Sequence, residues 1–305
     1  MIHLVEQLLN GVQFGVMLFL MAAGLTLVFG IMNLINLAHG SFYMVGAYVA
    51  AAVFAASGSF LLGLAAALAA AALTGAAVEL VVFRRLYDRQ HLDQVLATFG
   101  LILFFNEIVR MVWGSTALYM RVPTLLNGRV ELLPGVPYPS YRLAIIGVGL
   151  GVAGLLYLLI ARTRLGMLIR AGAANRVMLG ALGVNVRLLY TLVFALGATL
   201  AALAGVMAGP IFTVESGMGE TVLILAFVVI VIGGIGSVRG AFVAALLIGI
   251  VDAVGRAYLR PLLALTMSTS AADKAGPALA SMLIYIVMAA VLFFRPQGLF
   301  PPRTR

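Results

Sequence analysis

An all-α, polytopic transmembrane bundle is the fold class this sequence predicts, and three observations predict it. Charged residues make up 10% of the 305 and hydrophobic residues 64%, against about a quarter charged in an average globular domain. The mean hydropathy is +1.15. Apolar runs of roughly 20 residues recur along the whole length, each long enough to cross about 30 Å of hydrocarbon. A transmembrane β-barrel would show short alternating segments in place of these continuous runs.

The chain opens with a short amphipathic lead, 1–10, that lacks a basic n-region. The apolar run behind it continues as a full span, so no cleavable signal is expected. Candidate spans then read at 11–32, 40–57, 59–83, 94–113, 141–160, 188–212, 220–236, 240–259 and 277–294. These nine become eight or ten depending on whether 33–40 and 57–60 are breaks or loops. A single transmembrane domain, 1–305, is expected. The many glycines and the Ala-rich run 65–77 fit helices that approach closely through small residues, as do the pairs Gly11/Gly15, Gly147/Gly151, Gly205/Gly209 and Gly236/Gly240.

One stretch interrupts this apolar pattern sharply. Asn33, Asn36 and His39 fall within seven residues, between Gly30 and Gly40, and an apolar, aromatic run with Tyr43 and Tyr48 follows. In hydrocarbon every backbone polar group needs an internal partner, so such a break must face protein or a water-filled path. It therefore points to a translocation site. Asn33, Asn36, His39 and Tyr43 are the candidate path residues. They suit transient contact with a polar solute, because they offer hydrogen bonds without full charge; capping of broken helix ends is an equal reading.

The net charge of +9 sorts by side. Twelve arginines (84, 85, 89, 162, 164, 170, 176, 187, 239, 295, 303 and 305) flank alternate span ends, together with Glu79, Asp88 and Asp93. The opposite flanks carry seven bases and seven acids, which cancel. Under the positive-inside rule the first side is cytoplasmic, which places the C-terminus inside and, with nine spans, the N-terminus outside. The charge is thus a topology signal, and no nucleic-acid partner is expected. The outer loop 114–140 holds Pro123, Pro134, Pro137 and Pro139 with Tyr119 and Tyr138, and reads as a docking surface or as an ordered interfacial cap.

Catalysis by this chain is not expected. There is no cysteine, no Gly-x-x-x-x-Gly-Lys-Ser/Thr loop and no His-Glu-x-x-His, and only three histidines, so neither nucleotide binding nor a zinc centre is supported. Glu107 has Arg110 at i+3 and Asp252 has Arg256 at i+4, spacings that suit structural ion pairs. Glu215 and Glu220 flank an outer turn, either as a gate or as a solvated loop.

The run from Gly30 to Tyr48, with its N-x-x-N-x-A-H-G core and Met-Val-Gly-Ala-Tyr ending, resembles the signature of LivH-type permeases of bacterial branched-chain amino-acid ABC transporters. The stretches 162–185 and 231–242 and the closing Arg-Pro-Gln-Gly-Leu-Phe, 295–300, resemble the same family, so the likeness covers nearly the whole chain. It implies a permease subunit of the bacterial inner membrane that pairs with a second, LivM-like permease. Two cytoplasmic P-loop ATPases would supply ATP hydrolysis, a periplasmic binding protein would deliver substrate, and this chain would bind no cofactor. Branched-chain amino acids are the implied cargo, with urea or short amides handled by related permeases.

The loop 161–187 is the longest cytoplasmic connection and carries five arginines. Its centre, 171–184, reads as a short amphipathic helix at the membrane surface. The resemblance implies a coupling helix here, with Ala171, Ala174, Asn175, Arg176, Leu182 and Gly183 as candidates for contact with the ATPases. Where family members often carry an acidic residue this chain has Asn175, Val177 and Met178. The competing function class is an ion-coupled secondary transporter of small polar solutes, for which Asp252 is the first residue to test.

Overall fold

The computed structural model describes residues 2–87 and 89–300. Among the described residues, eight helices are long and apolar enough to cross a membrane. Six of them are α1 (Ile2–Met32), α2 (His39–Ser57), α3 (Phe60–Val81), α4 (His91–Trp113), α5 (Ser140–Arg162) and α8 (Val186–Ala208), and the other two are α10 (Val238–Leu263) and α11 (Thr269–Phe294). Two short helices, α6 (Arg164–Ala174) and α7 (Arg176–Ala181), lie between α5 and α8. The expected span 220–236 appears as α9 (Met218–Gly233), whose 16 residues reach only about 24 Å. In the 114–140 loop an antiparallel hairpin, β1 (Arg129–Leu133) with β2 (Val136–Pro139), pairs Arg129 with Pro139.

Two helices form the centre. The most apolar window of α1 is 83% buried and that of α8 72%, against 11–22% for α3, α4, α5 and α11. Between lipid-facing helices the hydrophobic effect offers little drive, so close van der Waals approach has to supply it. Gly11, Gly15 and Gly249 show how. The backbones of α1 and α10 lie so near that a Cβ on Gly249 would sit 2.3 Å from the Gly11 carbonyl oxygen. By contrast Gly147 and Gly151 of α5 have nothing within 4 Å of such a Cβ, so that spacing serves no contact within this chain.

The two ends of the bundle match the charge partition. At one end Tyr87 Oη approaches Met32 Sδ at 3.8 Å, and Leu299 N donates to the Ile232 carbonyl at 2.8 Å. Gly172 of α6 lies beside Ile31 at this same end. Here gather the arginine-bearing segments around 84–89, 162–187, 239 and 295; Asp88, Arg303 and Arg305 lie outside the described residues. At the other end Tyr138 Oη donates to Asn10 Oδ1 at 3.1 Å, Leu118 bridges Val214, and the His3 ring meets Tyr258 edge-on at 6.5 Å. Tyr138 is thereby buried beneath the hairpin instead of lying at an interface, and burial raises its hydroxyl pKa. Helix α11 starts at Thr269, ahead of its apolar run. Its polar first turns are tied to α10 by Arg260 Nε donating to Asp273 Oδ1.

The two buried carboxylates inside spans, Glu79 and Asp252, are partnered. Glu79 is fully buried and accepts from Tyr87 Oη at 2.8 Å, Thr191 Oγ1 at 2.5 Å and Arg84 Nη2 at 3.4 Å, which fastens the end of α3 to the start of α8. Burial and the adjoining Glu79 push the Tyr87 hydroxyl pKa well up. Arg256 Nε lies 2.8 and 2.9 Å from the two Asp252 oxygens, and Asp252 is 7% exposed.

Two stability predictions follow from this packing. Gly249→Ala drives a methyl into the α1 backbone and lowers stability by about 1–3 kcal/mol, the usual cost of overpacking, read as a fall in the thermal midpoint in detergent. Arg256→Leu strands a buried carboxylate, whereas Asp252→Asn removes the charge. In the same assay Arg256→Leu lowers the midpoint more than Asp252→Asn does.

Candidate functional site

The break between α1 and α2 is set locally by Asn33, the one non-glycine residue with positive φ (51°) among those described. Asparagine tolerates the left-handed region because its short amide bonds locally. Residues 33–38 leave the helix and the chain re-enters α2 at His39, with His39 N donating to the Asn36 carbonyl at 3.3 Å. Asn36, His39 and Tyr43 are buried at 0%, 1% and 2% exposure. Neither amide atom of Asn36, nor His39 Nε2, has a hydrogen-bond partner, an arrangement that costs about 1–3 kcal/mol for each group. Gly24 makes room for the imidazole, since a Cβ there would lie 2.9 Å from Nε2 and 2.5 Å from the Gly197 carbonyl.

The four candidate path residues therefore divide. Asn33 is exposed and lines a cavity of about 1110 Å³ with α5, α6 and the start of α10. Asn36, His39 and Tyr43 are packed inside. On another side the same stretch borders a narrow crevice through Leu37, Gly40, Ser41 and Met44, opposite Ile102 and Asn106 of α4 and Gly219 and Glu220 of α9. There the starts of α2 and α9 meet backbone to backbone: a Cβ on Gly219 would fall 1.9 Å from the Gly40 carbonyl oxygen.

Two helix N-termini side by side concentrate partial positive charge. Glu220, in the first turn of α9, complements it and accepts a hydrogen bond from Asn106 Nδ2 at 2.6 Å. Glu220 is exposed and Asn106 half-buried. One residue on, the exposed pair Glu107–Arg110 is joined at 2.9 Å on the same helix. Asn106 lies about 22 Å along α4 from His91, well within a span of hydrocarbon. A charged, exposed face at that depth is costly against lipid and calls for water or protein opposite it. Sequence reasoning placed Glu220 beside an outer turn, as a gate or as part of a solvated loop, and passed over Asn106. The available signal was an amide inside the apolar run 94–113 with Glu107 beside it.

The second candidate cluster takes a different form from the single surface helix expected. It is two short helices bent at Asn175, whose Oδ1 accepts from Met178 N at 2.9 Å and so caps α7. Asparagine competes for backbone donors in this way and ends one helix to begin another. Leu182 closes α7, and Gly183 turns the chain with φ of +82°. Arg170 donates to the Ile160 carbonyl and pins α6 to α5. Ala174 lines the large cavity with Asn33, and Ala171 packs partly against the core. The tip presents Val177, Met178 and Leu182 at 77%, 63% and 76% exposure beside exposed Arg176. Apolar side chains set together on a surface of this kind mark a contact with another molecule.

The family model described as branched-chain amino acid transport system, permease component, matches residues 7–292. The chain is 32% identical to the high-affinity branched-chain amino acid transport system permease protein BraD of Pseudomonas aeruginosa, over 97% of this chain and 95% of that protein. It is 31% identical to LivH of Escherichia coli over 97% of both chains, and 26% identical to a probable branched-chain amino acid transport permease protein LivH of Methanocaldococcus jannaschii over 93% and 88%. No solved structure matches the chain. This multi-pass membrane protein is a transport subunit and not an enzyme, and it belongs to the family of branched-chain amino acid transport system permease components.

Proposed function

We propose that this chain forms, with a second LivM-like permease, the membrane path of an ATP-driven importer for branched-chain or related amino acids. The observation that carries the reading is the α4/α9 face, where Asn106 and Glu220 are joined at 2.6 Å at a depth where lipid would penalise them. A second subunit placed opposite this face encloses a water-filled path. In that path Glu220 meets the ammonium group of a zwitterion, and the paired starts of α2 and α9 meet its carboxylate. Asn36, His39 and Tyr43 form the wall behind the crevice and hold the break in shape, while Asn33 faces the separate cavity and not this path. Such contacts are weak and few, which suits a path that must release its cargo.

Energy enters at the arginine-rich end. The exposed Val177, Met178 and Leu182 offer two soluble P-loop ATPases an apolar knob, with Asn175 and Gly183 fixing its shape and Ala171 and Ala174 seating its stem. The twelve-arginine side is the cytoplasmic side of the inner membrane, with residue 300 inside and residue 2 outside, and the end bearing 114–140 receives the substrate-binding protein. Secondary transport finds less support, because Asp252 is engaged by Arg256 and not free to carry an ion.

Reconstitution tests this. Proteoliposomes holding the chain with its partner subunits take up leucine only with ATP and binding protein; uptake by this chain alone, driven by an ion gradient, sinks the proposal. Glu220→Gln lowers the uptake rate by about tenfold or more, equivalent to about 1.4 kcal/mol at the barrier, and leaves ATPase co-purification intact. Leu182→Asp does the reverse: the ATPases no longer co-purify, and the chain keeps its thermal midpoint.

A further inference from the structure

The large cavity lies away from the α4/α9 face, enclosed by α1, α5, α6 and the start of α10. Its upper walls are apolar, with Phe19, Leu27, Ala153, Ile160, Phe242 and Val243. Its lower rim carries Arg170 and Arg239, and no carboxylate lines it. The Arg239 guanidinium rests 5.1 Å from the Tyr157 ring centroid, which holds it at the rim. Ser237 caps α10, accepting from Gly240 N at 3.1 Å, so the positive end of a 26-residue helix opens on the same rim. Asn33, exposed at the end of α1, lines the cavity as well. Tyr157 of α5 and Val243 of α10, which line it from opposite sides, are 49% and 41% exposed.

We propose that this cavity binds an anionic phospholipid. Its phosphate sits against Arg170, Arg239 and the start of α10, and one acyl chain runs along Phe19, Leu27 and Phe242. Basic pockets between transmembrane helices at one leaflet recognise such headgroups through charge, and the apolar slot above distinguishes a lipid from a free anion. The proposal does not depend on where the substrate path runs.

The test uses the chain purified with its co-purifying subunits from nanodiscs of phosphatidylcholine containing a minor fraction of phosphatidylglycerol, with retained lipid counted by native mass spectrometry. The wild type retains phosphatidylglycerol in preference to phosphatidylcholine, and inorganic phosphate does not displace it. Arg170→Gln with Arg239→Gln weakens retention by about 30-fold, the loss of two charges at an anionic surface. Arg239→Gln alone, which spares the Arg170 bond to the Ile160 carbonyl, gives part of that loss. Ala153→Trp fills the slot with both arginines intact and also expels the lipid. Arg164→Gln, exposed at the same end but outside the cavity, leaves retention unchanged. Equal loss in Arg164→Gln would reduce the effect to the general basic belt and overturn the proposal. So would retention by Ala153→Trp, displacement by phosphate, or a wild-type complex without bound lipid because a partner helix covers the cavity.

Discussion

The structure depends on one constraint: backbone that leaves a helix inside hydrocarbon must be walled in by protein. The segment 33–38 does so in mid-chain, and the fold is arranged to contain it. Leu34, Asn36 and Ala38 are fully buried, and α1 and α8, the two most enclosed spans, lie against it. Enclosure this tight requires bare backbone at the contacts, which is why Gly24 faces Gly197 and Gly40 faces Gly219 at distances no side chain tolerates. The remaining cost, the unpaired amide of Asn36 and Nε2 of His39, is carried inside that wall.

The same constraint separates structural charges from those on the face proposed to line the path. Glu79 and Asp252 are buried and grouped with partners from their own chain, so their role is internal fastening. Glu220, Asn106 and Glu107 are also bonded but keep their outer surfaces open on α4 and α9. Burial, more than the presence of a partner, is what tells the two sets apart. Among the described residues the α4/α9 face is where a carboxylate, an amide and two helix starts converge at membrane depth. The cavity on another side carries only positive charge.

Much of this was legible in the residues. Continuous apolar runs set the number of membrane spans to within one, because hydropathy reports the solvent a segment must match. The i+3 and i+4 spacings anticipated Glu107–Arg110 and Asp252–Arg256, since neighbours on one helix are set by its pitch. Less was legible at the site. The break was visible at Asn33, Asn36 and His39, but which side of the bundle each faces depends on contacts between α1, α2, α8 and α9, distant in sequence. Asn106 and Glu220 lie 114 positions apart, and no local pattern announces that they meet. The bend at Asn175 was hidden for a different reason: α6 and α7 share one amphipathic composition, and a single side-chain cap divides them.

How motion at the α7 tip would reach the break follows from who holds Ile31. This residue stands in the last turn of α1, two residues before Asn33. Gly172 of α6 faces its side chain, where a Cβ on Gly172 would lie 3.6 Å from Ile31 Cγ2, and Tyr190 of α8 donates its hydroxyl to the Ile31 carbonyl at 3.5 Å. The start of α8 is in turn clamped to α3 by Glu79 through Thr191. A push on α7 therefore arrives at α6, which is fastened to α5 by Arg170, and at α8, which is fastened to α3. Both deliver it to the turn that precedes the break. Because six non-helical residues absorb changes in backbone angle more cheaply than a helix does, such a displacement would be taken up at 33–38, beside the crevice that faces α4 and α9.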